Sequence, residues 1–205
     1  MAMISGIDLS HHNGTVDFAQ IAASGVVFAY IKATEGRFTQ DRFYEANYVG
    51  LRDKNIFRGA YHFFYPNFDP QEQAENFLSV VAQLGPGDLP PVVDIEVSGE
   101  ESPTAIATAL QLWLDTVEED LDRQPIIYTA PGFWNSSLGG TSAFSEYSLW
   151  VAHYTNNPSP SIPKGFTDYL FWQYSESGSI SGVKGNVDLD WFNGNSSDLA
   201  QLVGT

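Results

Sequence analysis

The segment Pro90-Pro91-Val92-Val93-Asp94-Ile95-Glu96 ends an apolar run in two carboxylates one residue apart. Side chains alternate along a strand, so Asp94 and Glu96 project to the same side of it. Burying unpaired carboxylates is costly and shifts their proton affinity, so this strand end is suited to acid–base chemistry more than to packing. Two further aspartates sit in similar settings: Asp8 in Gly6-Ile7-Asp8-Leu9-Ser10 and Asp188 in Asn186-Val187-Asp188-Leu189-Asp190. A single aspartate after a strand commonly caps a helix or a turn. Three such places at the same ends of separate strands point instead to one acidic pocket.

Aromatic residues occur at comparable positions: Tyr61, Tyr65, Tyr128, Trp150, Tyr154, Trp172 and Tyr174. Their rings can stack on the apolar faces of sugars while their polar tips hydrogen bond, although roughly half of such residues are ordinary core. Carboxylates ringed by aromatics suit glycoside hydrolysis, in which one carboxylic acid protonates the leaving oxygen and a second group manages the developing positive charge. Glu96 is the candidate acid. Asp94 and Asp188 nearby would disfavour its ionised form and raise its pKa, as a general acid at mild pH requires.

The elements that must position these groups are legible as eight short apolar or aromatic runs: 4–8, 26–32, 59–64, 91–96, 125–129, 149–153, 169–174 and 187–191. Helical patterns separate the early ones. Asp69-Pro70-Gln71-Glu72 combines a capping aspartate, a proline at the first helical position and a capping-box glutamate; Ala74, Phe77, Leu78 and Val81 follow, and Gly85-Pro86 ends the helix. Ser102-Pro103 opens a second, whose apolar stripe runs from Ile106 to Leu121. Further helices are expected over 17–24 and 41–55, with short ones from Pro131 and over 197–202. After Gly139 helical periodicity fades, so the last three strands are expected to join without crossover helices. Alternating strands and helices imply parallel pairing, and eight strands imply a closed barrel in which the first and last are neighbours. A complete (β/α)8 barrel takes about 250 residues. The expectation is therefore an irregular TIM-like (β/α)5(β)3 barrel of a single domain over residues 1–205, with residues 1–3 a short added start; an open doubly wound sheet is the other possibility.

Nine Lys and Arg against 25 Asp and Glu give a formal charge of −16, which repels phosphate backbones and anionic lipid. Neither nucleic acid nor membrane is an expected partner, and no apolar run approaches the roughly 18 to 20 residues of a membrane span. There is no cysteine, hence no disulfide and no redox clue to the compartment. Asn13, Asn135 and Asn195 each begin an Asn-x-Ser/Thr sequon, relevant in a eukaryotic secretory pathway. His11, His12, His62 and His153 lack the spacing of an HExxH metal site. No cofactor and no metal are expected, with His11-His12 a loop pair and His62 a hydrogen-bonded barrel residue.

Six motifs, taken in order, resemble the family 25 glycoside hydrolases, the Chalaropsis-type lysozymes: Gly6–Gly14, Ile31–Gly36, Gly59–Tyr65, Asp94-Ile95-Glu96, Trp172-Gln173-Tyr174 and Val187–Asp190. The likeness runs from the first strand to the last and looks nearest to the compact fungal members. It implies a barrel of eight strands and five helices, secretion, a monomer, and cleavage of the β-1,4 bond between N-acetylmuramic acid and N-acetylglucosamine in bacterial peptidoglycan. It also implies Glu96 as general acid, Asp94 as the carboxylate beside it, Asp8 and Asp188 as the two further acidic positions, and Lys32, Tyr61, Tyr65, Tyr128, Trp150 and Tyr174 as substrate-binding residues. Asp190 stands where relatives commonly carry Asn, so Asp188 and Asp190 need to be told apart. Two carboxylates on one side of one strand do not flank a bond, which favours attack by the substrate's own acetamido carbonyl over a covalent carboxylate intermediate. A metal-dependent phosphodiesterase and a non-catalytic carbohydrate-binding barrel are the rival readings; the first lacks cationic groups for phosphate, and the second would lack the acid.

Overall fold

Alternate residues of each strand turn to opposite sides, and here the two sides are filled differently. One set, including Phe28, Tyr30, Val92, Ile126, Trp150, Phe171 and Phe192, forms a buried aromatic-rich cluster inside the barrel. The other, including Ile7, Leu9, Ile31, Val93, Ile95 and Ile127, packs outward against helical Ile21, Leu51, Phe77, Leu110 and Trp113. Each fully buried large side chain of this kind contributes about 1.5–3 kcal/mol, so a one-residue slip of any strand would exchange the two sets at great cost.

The computed structural model describes residues 3–203; Met1 and Ala2, where an added start was expected, lie outside them. Eight strands close the barrel in the order β1 (Ile4–Leu9), β9 (Val187–Phe192), β8 (Phe171–Gly178), β7 (Leu149–Ala152), β6 (Ile126–Thr129), β5 (Val92–Asp94), β4 (Phe57–Phe63) and β2 (Phe28–Glu35), with β1 pairing β2 to complete the ring. Every run expected as a strand is one. A short strand that the periodicity did not announce, β3 (Thr39–Gln40), folds back antiparallel on the end of β2.

Helices α1 (Phe18–Ala23), α2 (Tyr44–Arg52), α3 (Pro70–Val80), α4 (Pro103–Leu121) and α5 (Pro131–Ser137) fill the crossovers up to β7, and α6 (Ser196–Leu202) follows β9. No helix separates β7 from β8 or β8 from β9, as expected from the loss of periodicity. Leu199 of α6 packs into the barrel's interior cluster, so the terminal helix contributes to that core. Asp69 caps α3 by accepting from the amides of Gln71 and Glu72, and Ser102 caps α4 by accepting from Ala105. The expected reciprocal role of Glu72 is not taken up; its carboxylate reaches Arg37 at 3.1 Å. α3 also stops at Val80 rather than near Gly85, because Val81 leaves helical geometry and is buried in the core.

The expectation of parallel pairing throughout fails at one strand: β9 runs antiparallel to both β1 and β8. Without a crossover helix to carry the chain back across the barrel, β9 returns directly along β8, as a hairpin-type connection permits. Glycine makes room for the interior at two places. A Cβ on Gly6 would come within 2.2 Å of the Phe28 ring, and one on Gly59 within 2.1 Å of the Tyr30 ring.

Candidate active site

The interior side chains change character at the ends of the parallel strands, where aromatics give way to carboxyls and hydroxyls around a cavity of about 340 Å³. Asp8, Asp94, Glu96 and Asp188 all line it, together with Lys32, Tyr61, Tyr128 and Trp150. Asp94 is the last residue of β5 and is buried, while Glu96, two residues on, stands at the solvent-facing mouth. Asp8 on β1 faces Asp188 on β9 as a cross-strand pair. Asp188 reaches the mouth because β9 is antiparallel: it is the strand's beginning, not its end, that lies there.

Asp188 and Asp190 have separate surroundings. Asp190, two residues further into the barrel, is fully buried and does not line the cavity. Its Oδ1 accepts from Trp150 Nε1 at 3.0 Å, and its Oδ2 has no hydrogen-bond partner.

Two of the expected binding residues lie elsewhere. Tyr174 follows Gln173 on β8, so the alternation turns it out of the barrel, where it stacks on Trp191 with ring centroids 5.0 Å apart. Tyr65 lines an adjoining hollow, its hydroxyl donating to Glu35 Oε1 at 2.8 Å. Conversely, the sequence reading passed over Gln173, the connecting residue of the site. Its Nε2 donates to Asp8 Oδ2 at 2.8 Å, and its Oε1 accepts from Tyr128 at 2.8 Å and from Tyr154 at 2.7 Å. The signal was present: Gln173 is the polar centre of Trp172-Gln173-Tyr174 and shares a strand face with Phe171. Phe63, Glu176, His12 and Asn13 also line the cavity, and the Lys32 ammonium lies 4.9 Å from the Phe63 ring centroid.

Burial dominates the electrostatics. It raises Asp8 well above the ordinary carboxylate range, with Asp190 and Asp188 adding to the shift and the Gln173 amide opposing it. Burial likewise raises Asp94, then the charge of Glu96, while Lys32 pulls it down. Glu96 is raised mainly because the cavity wall displaces water around it; Lys32 opposes this, and Asp188 and Glu176 reinforce it. The expected contribution of neighbouring charge is thus secondary to desolvation. Asp190 is raised by burial and by Asp188. Outside the cavity, His62 is buried between Thr34 and Gln73, stacked on Trp113, and desolvation lowers its pKa to about 3. It is a neutral structural residue. Among the described residues, no three His, Asp or Glu side chains gather as a metal-ion site.

A closed barrel that sets buried carboxyls of raised proton affinity against aromatic rings and one ammonium group is the architecture of a glycoside hydrolase. The chain belongs to the glycosyl hydrolases family 25, which it matches over residues 7–183. Lysozyme M1 of Streptomyces globisporus is 36% identical over 210 residues, spanning 98% of this chain and 71% of that protein. N,O-diacetylmuramidase of Chalaropsis sp is 28% identical over 203 residues, spanning 90% of this chain and 96% of that protein. The bacterial lysozyme from Streptomyces coelicolor superposes with a TM-score of 0.94 at 34% identity, covering 99% of this chain and 98% of the other. The family lysozyme from Aspergillus fumigatus gives 0.89 at 28% identity over the whole of both chains.

Proposed function

We propose that the chain is a muramidase that hydrolyses the β-1,4 bond between N-acetylmuramic acid and N-acetylglucosamine in bacterial peptidoglycan, with Glu96 as general acid. The single observation that carries the mechanism is the state of Asp94: its Oδ1 is buried and has no hydrogen-bond partner, an expensive condition for an acceptor. The N–H of a 2-acetamido group is the donor this oxygen lacks, and N-acetylated sugars carry one beside the anomeric carbon.

This assigns the proton. Burial raises both Asp94 and Glu96, and the charge of Glu96 raises Asp94 further, so ionisation of both together is disfavoured. A substrate N–H on Asp94 favours the ionised form there, leaving the proton on Glu96, beside the leaving oxygen. Glu96 then protonates that oxygen as the C–O bond breaks and the acetamido carbonyl attacks the anomeric carbon. Asp94 stabilises the N–H of the resulting oxazolinium ion. Water opens that ring, giving a proton to the Glu96 carboxylate, and the anomeric configuration is retained. Asp8, Asp188, Lys32, Tyr61, Tyr128 and Trp150 would bind and orient the muramic acid ring; Gln173 fixes Asp8 and Tyr128 with respect to each other. The enzyme would act as a secreted monomer on walls outside the cell membrane. No described helix is long and apolar enough to cross a membrane.

The test is to digest purified peptidoglycan, reduce the new ends with borohydride and identify the sugar alcohol. Muramitol is the expected product; glucosaminitol, or no new reducing end, refutes the proposal.

A further inference from the structure

The loop between β2 and β3, beyond the catalytic cavity, carries an exposed aromatic ring beside a hollow. Lys32 lines both the catalytic cavity and a neighbouring hollow formed with His11, Thr34 and Asp41. Glu35 and Thr39 line that hollow and also a further cavity of about 370 Å³ bounded by Arg37, Phe38, Tyr65 and Phe68. Because successive ones share lining residues, the three lie side by side in a row outward from the active site, a trough in that sense.

At its outer end the Arg37 guanidinium lies between two rings, 5.0 Å from the centroid of Phe38 and 5.1 Å from that of Phe68. Phe68 in turn packs against Tyr65, with centroids 5.3 Å apart. Phe38 is 75% exposed, the most exposed large apolar side chain among the described residues. An apolar ring held in water without a packing partner on its outer side gains nothing for folding. Its loop is nevertheless fixed. Asn76 of α3 donates to the carbonyls of Gly36 at 2.9 Å and Thr39 at 3.2 Å, Gly36 donates to Phe63 O at 3.0 Å, and Arg37 is tied to Glu72. Gly36 adopts a φ of +53°, the left-handed conformation that turns the chain here. The platform is therefore preformed, which reduces the ordering cost of binding.

We propose that Phe38, supported by Arg37 and Phe68, is a remote subsite for the continuing glycan strand, stacking a sugar several residues from the bond being cleaved. The proposal rests on the muramidase reading, because only a polymeric glycan would run from the catalytic cavity along the trough. An exposed aromatic face bordered by a guanidinium and the Tyr65 hydroxyl matches a pyranose ring, with its apolar face and equatorial hydroxyls.

The experiment compares the parent with Phe38→Ala and Phe38→Trp on two substrates: long glycan strands stripped of their peptide stems, and a disaccharide aryl glycoside that fills only the catalytic cavity. Phe38→Ala is expected to raise KM on the long strands about tenfold, the loss of one stacked contact worth a factor of ten in affinity, with kcat unchanged and both constants unchanged on the aryl glycoside. Phe38→Trp should restore the parent KM. An equal effect on both substrates, or none on either, overturns the proposal. So does an effect that occurs on intact peptidoglycan and vanishes on stripped strands, since the occupant would then be the peptide stem. A parent that cleaves neither substrate overturns the muramidase reading and this subsite with it, a failure visible before any variant is compared.

Discussion

The cavity has two acidic walls that are built differently. On one, Asp94 and Glu96 come from a single parallel strand end, with Lys32 close enough to pull both towards ionisation. On the other, Asp8 and Asp188 oppose each other across two antiparallel strands, backed by buried Asp190, with the neutral amide of Gln173 as the hydrogen-bond donor to Asp8. The first wall pairs a buried carboxyl with one at the mouth, so its two members can hold different protonation states. The second is a constellation in which Asp188 and Asp190 both raise Asp8, with His12 opposing at Asp188. Under the proposed mechanism the first wall would move the proton and the second would hold the substrate ring in place.

The sharpest way to break that comparison is Glu96→Gln. Cleavage of natural glycan should fall by about 10²- to 10⁴-fold, the range general acids supply, while aryl glycosides with an activated phenol are partly spared. A folded Glu96→Gln that keeps near-parent activity on peptidoglycan would remove the first wall's role. Asp94→Asn should slow both kinds of substrate by about 10²- to 10³-fold, the cost of losing one electrostatic stabiliser of the transition state, because attack at the anomeric carbon does not depend on the leaving group. Melting temperatures recorded alongside separate chemistry from folding.

The second wall should fail by geometry. Gln173→Leu strips the donor from Asp8 and the acceptor from Tyr128 and from exposed Tyr154, leaving the buried Asp8 and Tyr128 groups unpaired at about 1–3 kcal/mol for each. A measurable loss of thermal stability is expected together with weakened substrate binding; an unchanged melting temperature would mean that the network is not cohesive.

The smallest effects concern pH. Burial raises Asp8, Asp94 and Asp190 in the folded state, so the native protein binds more protons than the unfolded chain. The stabilisation is complete below the ordinary carboxylate pKa and is lost as pH rises through the raised native values. The melting temperature should therefore decline from mildly acidic to mildly alkaline solution. Asp190→Asn, which keeps an acceptor for Trp150 and deletes a buried acid, should flatten that decline and raise stability at pH 7, because the unfolded aspartate ionises freely there while burial and Asp188 oppose its ionisation in the native protein. A steeper decline in the variant would show that Asp190 is paired in a way that the wall as described does not allow. Clearing of whole cells with anionic walls should likewise improve with added salt near neutral pH, since a charge of −16 opposes approach; a loss of clearing on screening would contradict this.

Much of this was legible in local chemistry. Asp69-Pro70 and Ser102-Pro103 announce helices because their side chains satisfy the first free amides, and α3 and α4 begin where they say. Asp94 and Glu96 were recognisable because period-2 alternation puts ionisable groups at the end of an apolar strand. Other features carry no local signal. β3 is only two residues long, too short for periodicity. The direction of β9 depends on what precedes it, and Asp188 is a mouth residue only because that strand is reversed. Tyr174 faces outward because the register of β8 turns Gln173 inward, and Tyr65 lies past the end of β4, where its hydroxyl donates to Glu35.

The sequence by itself determined which residues could do acid–base chemistry on a sugar and that they sit at strand ends, because residue type and spacing dictate local geometry. Only the tertiary structure decided that Asp188 joins Asp8 while Asp190 is sealed beneath them, that Gln173 ties Asp8 to Tyr128 and Tyr154, and that Asp94 is left with an unpaired oxygen. Those depend on strand direction and on which groups exclude water from which others, properties that arise only when segments far apart in the chain are packed together.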